Sequence, residues 1–357
     1  MHDSLKLTIY FGERARSGSR YLADALLDIY GREVFAVSLL LRGVQGFGLK
    51  HRLRTDRLLT LSEDLPLVTV AVDTRARIGA ALPAVLEVAR SGLVTLERAR
   101  LLTGELGPVS LPEELDEATK LTVYVGRQER VYGVPAYAAV TELLYRRGVA
   151  GATVLLGVDG TAHGERQRAR FFGRNAEVPM MIIAVGPGEV IGRVLPELGG
   201  LLRRPLVTLE RVQVCKRDGE RLAEPHPLPG TDEHGLALFQ KLMIYGSEAA
   251  RHRGRPLHQE LVRRLRSSGA SGATTLRGIW GFHGSHAPHG DRLLQLRRHV
   301  PTLTIVVDRP DRIMDSYAVV DELTASSGLV TSELVPASAA LVADARRGGL
   351  KLARHEF

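Results

Sequence analysis

Two stretches of this sequence combine glycines with an arginine in a way that could hold an anion: Arg42-Gly43-Val44-Gln45-Gly46-Phe47-Gly48 and Arg277-Gly278-Ile279-Trp280-Gly281-Phe282. Glycines let backbone amides come close to a charged group, and a guanidinium offers a planar fork for phosphate or carboxylate. Arg42, Gly43, Gly46, Phe47 and Gly48, with Arg277, Gly278, Gly281 and Phe282, are therefore the candidate ligand-binding residues. The alternative is a glycine-rich turn at the base of a long loop, with the two phenylalanines packing. The stretch is not a dinucleotide fingerprint, because its glycines follow a strand but open no helix.

A second cluster, His283, His286 and His289, sets three imidazoles in one loop, a donor set that suits a divalent metal, although no fourth ligand is defined. A third set is basic: Lys50, His51, Arg52, Arg54 and Arg57 in one loop, and Arg166, Arg168, Arg170 and Arg174 in another. With Phe171, Phe172 and Trp280 as stacking platforms these could track nucleic acid. A solvated loop is the preferred reading, so nucleic acid is not the expected partner. No serine or cysteine elbow, no zinc-protease helix and no P-loop is present, which argues against an enzyme.

The elements that position these residues are written three times. Segments of the form Lys-Leu-aliphatic-x-Tyr open at Lys6, Lys120 and Lys241. A worn copy of the glycine stretch, Leu155-Leu156-Gly157-Val158-Asp159-Gly160-Thr161, lies between the other two. Leu65-Pro66, Val178-Pro179 and Val300-Pro301 each open an aliphatic run, and Leu93-Val94-Thr95, Leu206-Val207-Thr208 and Leu329-Val330-Thr331 each start a last segment. Four anchors in one order define a tandem repeat.

Within unit one, Leu5, Leu7, Ile9 and Phe11 alternate with Lys6, Thr8 and Tyr10, which predicts a half-buried strand. Tyr21 to Tyr30 carries a helical apolar stripe and Gly31 is its expected stop. Phe35 to Leu41 is a second strand, Gly43 to Asp64 a long polar loop, and Leu67 to Val72 a third strand. Asp73 or Thr74 caps a helix from Arg75 to Arg90, and Val94 to Leu101 is the last strand. The order is βαββαβ, which predicts an α+β, ferredoxin-like unit. The boundaries are 1–103, 117–216 (a diverged unit) and 238–336, followed by a mobile or weakly helical tail over 337–357. Three linked units can close as a pseudo-threefold ring within one chain.

The chain has 357 residues, 44% of them hydrophobic, with a formal charge of +8 and one cysteine, Cys215. That length supports three cores, and the charge favours anionic partners. One cysteine excludes an internal disulfide framework, and there is no transmembrane or signal-like run. The expected setting is cytoplasmic.

The repeated set Lys-Leu-aliphatic-x-Tyr, Leu-Arg-Gly-x-x-Gly-Phe, Leu-Pro with its aliphatic run, and Gly-Leu-Val-Thr resembles the domain-of-unknown-function 190 family, a branch similar to the PII-like signalling proteins. The resemblance covers units one and three nearly end to end and unit two more loosely. It implies a trimer-forming ferredoxin-like domain with small ligands in clefts between units, and mobile effector loops over Gly43 to Asp64, Gly157 to Glu177 and Gly278 to His299. The implied function is a non-enzymatic sensor that binds a small anionic ligand, a nucleotide first, and signals to an effector protein. The alternatives are a metal-binding protein using the histidine loop and a nucleic-acid binder using the arginine-rich loops. Unit two lacks the arginine, has Thr161 for phenylalanine, and has Gly186 where Asp73 and Asp308 stand.

Overall fold

A computed structural model describes residues 3–48, 51–55, 64–107, 118–162, 165–168, 178–283, 288–290, 300–342 and 345–355. In unit one the strands are Asp3–Gly12, Val37–Phe47, Pro66–Thr74 and Ser91–Thr103, with helices Leu22–Arg32 and Arg75–Val88 between them. The first strand pairs antiparallel with both the third and the last, and the second pairs with the third, giving the order last, first, third, second. Unit two repeats this with Thr119–Gly126, Gly151–Leu156, Pro179–Gly186 and Leu206–Arg211. Unit three repeats it with Phe239–Ser247, Ala273–Arg277, Pro301–Asp308 and Leu329–Val335. Six helices, two per unit, complete the mixed α/β architecture among the described residues.

The alternation in the first strand buries both faces. Leu5, Leu7 and Ile9 meet the helices of their own unit in one apolar cluster. The opposite faces of all three sheets meet each other in a shared cluster that includes Val70, Met181 and Ile305. The polar face of the first strand therefore points into the interior rather than into water: Lys6 is 8% exposed and Thr8 3%. The half-buried assignment is corrected on that point, because the face that lacks apolar residues has other units, not solvent, in front of it.

Two sets of cross-unit pairings close a cycle. The end of unit one's last strand, Arg100 to Thr103, pairs with Leu206 to Leu209 of unit two. Gln213–Arg217, at the end of unit two, pairs with Leu329 to Ser332 of unit three. Ala337–Val342, just beyond unit three, pairs with Ser91 to Leu96 of unit one. The expected mobile or helical tail is instead a β-hairpin, Ala337–Val342 with Ala345–Gly349, because Ala337, Ala339 and Leu341 alternate into the interior.

The second set runs the other way round and uses the glycine stretches. Val37–Phe47 pairs with its own third strand as far as Arg42, then leaves it, so that Gly43 to Phe47 pairs with Ala273 to Leu276 of unit three. Trp280–His283 pairs with Gly151 to Val154 of unit two. Asp159–Ala162 of unit two pairs with Val37 to Leu40 of unit one. The start of each expected long loop is thus a strand donated to a neighbour. Among the described residues the result is one 21-stranded antiparallel sheet, curled through the three units.

These donated strands explain the glycines and the proline anchors. A Cβ on Gly46 would stand 2.6 Å from the Ala273 carbonyl oxygen, on Gly160 2.3 Å from that of Ser38, and on Gly281 2.3 Å from that of Ala152. Gly43 and Gly278 face Pro66 and Pro301, whose Cγ atoms would each lie 2.7 Å from an added Cβ. Close approach of two backbones requires glycine at these positions. The first helix of unit one runs through Gly31 to Arg32, and the reversal follows at Val34, with φ of 52°, where the sister units have Gly148 and Gly269. Arg77 steadies this turn by donating from Nη1 to the Val34 carbonyl at 2.7 Å.

Candidate functional site

Arg42 and Arg277 stand where the chain leaves its own sheet for a neighbour's. Arg42 is opposite Leu67 of its own unit, and the next residue, Gly43, is opposite Leu276 of unit three. Its Nη2 lies 3.1 Å from the Glu13 carboxylate. Arg277 repeats the pairing with Glu248 at 2.7 Å. Both glutamates are held in place by the backbone: the Glu13 amide donates to the Leu65 carbonyl at 2.8 Å and the Glu248 amide to Val300 at 2.9 Å, each just before a proline anchor. In unit two the same backbone bond runs from Arg127 to Val178 at 3.0 Å, but Arg127 stands in place of the glutamate and Leu156 in place of the arginine. The ion pair has been lost as a pair.

At the first of these seams further charges gather. Arg54 lies 2.9 Å from Asp64, and Asp64 accepts from the Arg14 amide at 2.7 Å. The Arg42 side chain is 51% exposed and that of Arg277 31%, so both reach solvent. An exposed guanidinium such as that of Arg42 can exchange its carboxylate for an incoming anion at small net cost, since surface ion pairs contribute only about 0 to 1 kcal/mol.

The remaining candidates are distributed differently. Phe47 and Phe282 are both 4% exposed, packed in the cores of units three and two, so they are buried anchors of the donated strands. Gly48 has open space around it. Trp280, rather than offering a free face, donates from Nε1 to Thr141 Oγ1 at 3.1 Å and meets Tyr137 edge-on. His283 and His289 lie on paired strands, whereas His286 falls outside the described residues, as do Lys50, Arg57, Arg170, Phe171, Phe172 and Arg174. Asp73 and Asp308 fasten the start of the second strand: Asp73 Oδ2 accepts from the Ala36 amide at 2.9 Å and Asp308 Oδ2 from Ser271 at 2.8 Å.

Sequence reasoning missed a dense cluster of buried charge among the described residues. Lys6, Lys120 and Lys241, the first residues of the repeat anchors, meet Glu97, Glu210 and Glu333 where the three units converge. Lys6 pairs with Glu97 at 3.2 Å and with Glu210. Lys120 pairs with Glu210 at 3.3 Å and Glu333 at 2.5 Å, and Lys241 with Glu333 at 2.7 Å and with Glu97. Each lysine faces the glutamate of its own unit across the strand pair and one glutamate from another unit, closing a six-membered ring of alternating charge. All six side chains are at most 10% exposed.

Burial alone would expel these charges, so the ring must neutralise itself. Burial pushes the Glu97 carboxyl up, but Lys241, Lys6 and Lys120 outweigh it and hold the group well below the usual range. Glu333 is likewise lowered, burial being overcome by Lys120, Lys241 and Lys6. Burial would lower Lys6, but Glu210, Glu97 and Glu333 raise it well above an ordinary lysine. At Lys120 burial prevails over Glu210 and Glu333 and brings the ammonium down to about 8. Beside the ring lies a cavity of about 40 Å³ lined by Thr8, Tyr10, Thr122, Tyr124, Met243 and Ile305, among others. Glu97, Glu210 and Glu333 form the one three-donor group near enough for a metal among the described residues. Three ammonium groups already balance it, so an added cation would have to displace a lysine.

The sequence profile of the DUF190 family, described as an uncharacterized ACR, matches residues 4–101, 118–214 and 239–337. The chain belongs to that family and carries its domain three times. A UPF0166 protein of Aquifex aeolicus is 31% identical over 72 residues, 20% of this chain and 69% of its own. A UPF0166 protein of Methanocaldococcus jannaschii is 34% identical over 84 residues, 23% of this chain and 76% of its own. Among solved structures, an aspartate kinase from Synechocystis superposes on 95% of this chain and 44% of its own at 10% identity, with a TM-score of 0.24, too loose a match to bear on the fold. No helix among the described residues is long and apolar enough to cross a membrane.

Proposed function

We propose that the chain is a non-enzymatic, PII-like regulator: three ferredoxin-like units closed as a pseudo-trimer, binding a small anion such as a nucleotide at the seams between units. The observation that carries this reading is the pair of arginines at the crossing points. Arg42 and Arg277 each sit at the junction of two units, reach solvent, and are held by a glutamate. An anion that takes the guanidinium releases the Glu13 or Glu248 carboxylate, while the backbone bond to Leu65 or Val300 keeps the segment after the first strand attached. Differential affinity for the paired and released states would then bias the neighbouring loops, which is what a partner protein would read.

The seam that uses unit two's donated strand has Leu156 and Arg127 in place of this pair, so it serves to close the ring rather than to bind. The test is a thermal-shift series with ATP, ADP, AMP, a cyclic dinucleotide and inorganic phosphate, since a ligand of the folded state raises its apparent stability. At least one nucleotide should stabilise the protein, and Arg42→Ala and Arg277→Ala should each reduce the shift. Equal shifts in wild type and in both variants would remove the arginines from the site.

A further inference from the structure

The three donated strands enter three different receiving cores, and the differences match. At corresponding positions, unit one receives with Tyr30, Phe35 and Ser38, unit two with Leu144, Val149 and Ala152, and unit three with Leu265, Ala270 and Ala273. The same backbone bond marks the correspondence, from Phe35 to Tyr30, Val149 to Leu144 and Ala270 to Leu265. Units two and three, whose receiving residues are small, accept a phenylalanine: Phe282 stands opposite Ala152, and Phe47 opposite Ala273. Phe282 fills its site against Tyr145, with ring centroids 5.3 Å apart. Unit one, which already holds the Tyr30 and Phe35 rings fully buried and 5.5 Å apart, accepts Thr161 instead. Thr161 is opposite Ser38, and their hydroxyls are 2.8 Å apart.

We propose that this exchange of one phenyl ring between donor and acceptor is a recognition code: unit one's groove is built to receive unit two's strand and to refuse a phenylalanine-bearing one. The partner that fits the groove is thus one particular unit of the chain. The code fixes which unit follows which around the ring, and it stands independently of any ligand. A phenylalanine strand docked on unit one would bring its ring against Phe35 and leave the buried Ser38 hydroxyl without its partner. A threonine strand docked on unit two or three would leave a void where Phe282 or Phe47 stands. Overfilled cores and voids both cost stability, so a phenylalanine strand on unit one and a threonine strand on unit two or three are each opposed, and reversing the order of units around the ring would incur both.

The experiment is a coupling measurement by urea denaturation on the full chain. Thr161→Phe should lower the folding equilibrium constant by about ten-fold or more. Converting the acceptor to unit two's residues, with Tyr30→Leu, Phe35→Val and Ser38→Ala, should lower it as well. The four changes together should recover at least about ten-fold over the product of the two separate effects. Thr161→Phe with Val149→Ala, which alters a groove that this strand does not enter, should recover nothing. Should Thr161→Phe fail to fold, Phe47→Thr combined with Ala270→Phe supplies the reciprocal test, and that pair should be more stable than either single change predicts. Independent, multiplicative effects in both sets, or a neutral Thr161→Phe, would overturn the code.

Discussion

Deleting one charge from the buried ring should be far more damaging than deleting a matched pair. In Lys241→Met the side-chain length is kept, but Glu97 loses its Lys241 contact and Glu333 loses one at 2.7 Å. Three carboxylates then face two ammonium groups in a site at most 10% exposed. Breaking a buried ion pair from one side costs about 3–5 kcal/mol, because the partner is left uncompensated. Adding Glu97→Leu removes the excess charge and leaves Lys6, Glu210, Lys120 and Glu333 as an alternating row, so the double variant should regain most of the loss.

The pH dependence should change sign. In the wild type Glu97 and Glu333 are held low, so their contribution is complete above the ordinary carboxylate range and is lost as pH falls towards the depressed values. In Lys241→Met the surplus negative charge raises one carboxyl, and a raised group stabilises below its unfolded value and loses that contribution as pH rises. Urea midpoints measured between about pH 3 and 8 should therefore rise with pH to about 5 and then level off in the wild type, whereas in Lys241→Met they should fall with pH above about 4.5. A loss under about 1 kcal/mol with an unchanged pH slope would refute the ring as a coupled unit, as would a double variant no better than the single.

Val34 holds a left-handed backbone at φ 52° while 49% exposed, a conformation costly for a branched side chain. Val34→Gly should therefore raise stability by about 0.5–1 kcal/mol after glycine's entropic cost, as seen in a denaturation midpoint. The Cys215 thiol is pushed up to about 12 by burial, which outweighs a hydrogen bond from the Ser332 backbone. Thiol reagents at pH 8 should label it slowly in the native protein and rapidly in urea, and its stabilising contribution should be full below about pH 8.5 and fade as pH rises towards the folded value. Equal labelling rates in both states would contradict its burial.

The units, their helices and the strand order were legible because each rests on local pattern: alternation, a helical stripe, a cap such as Thr74. The donated strands were not. Gly43 to Phe47 looks like loop by composition, and its hydrogen-bonding partner lies in unit three, beyond any local window. The tail was misjudged for the same reason, since Ala337–Val342 becomes a strand by pairing with unit one. The charge ring left a signal that alternation hid. Lys6, Lys120 and Lys241 and Glu97, Glu210 and Glu333 recur in all three units, even in unit two, where the seam arginine and phenylalanine have gone. A charge kept in every copy beside aliphatic neighbours, with an equal number of opposite sign, is what a shared buried interface requires. The inequality of unit two was legible as Leu156 and Thr161. Its structural sense, a missing ion pair at one place and a matched groove at the other, needed the pairing between units.

The reading of the seams is tested most directly by calorimetric titration of the full chain with ATP. Two sites per chain are predicted. Arg42→Ala and Arg277→Ala should each weaken one of them by about ten-fold, less for the more exposed Arg42, and the double variant should retain no strong site. No heat of binding, three equal sites, or a double variant that titrates like the wild type would contradict the account.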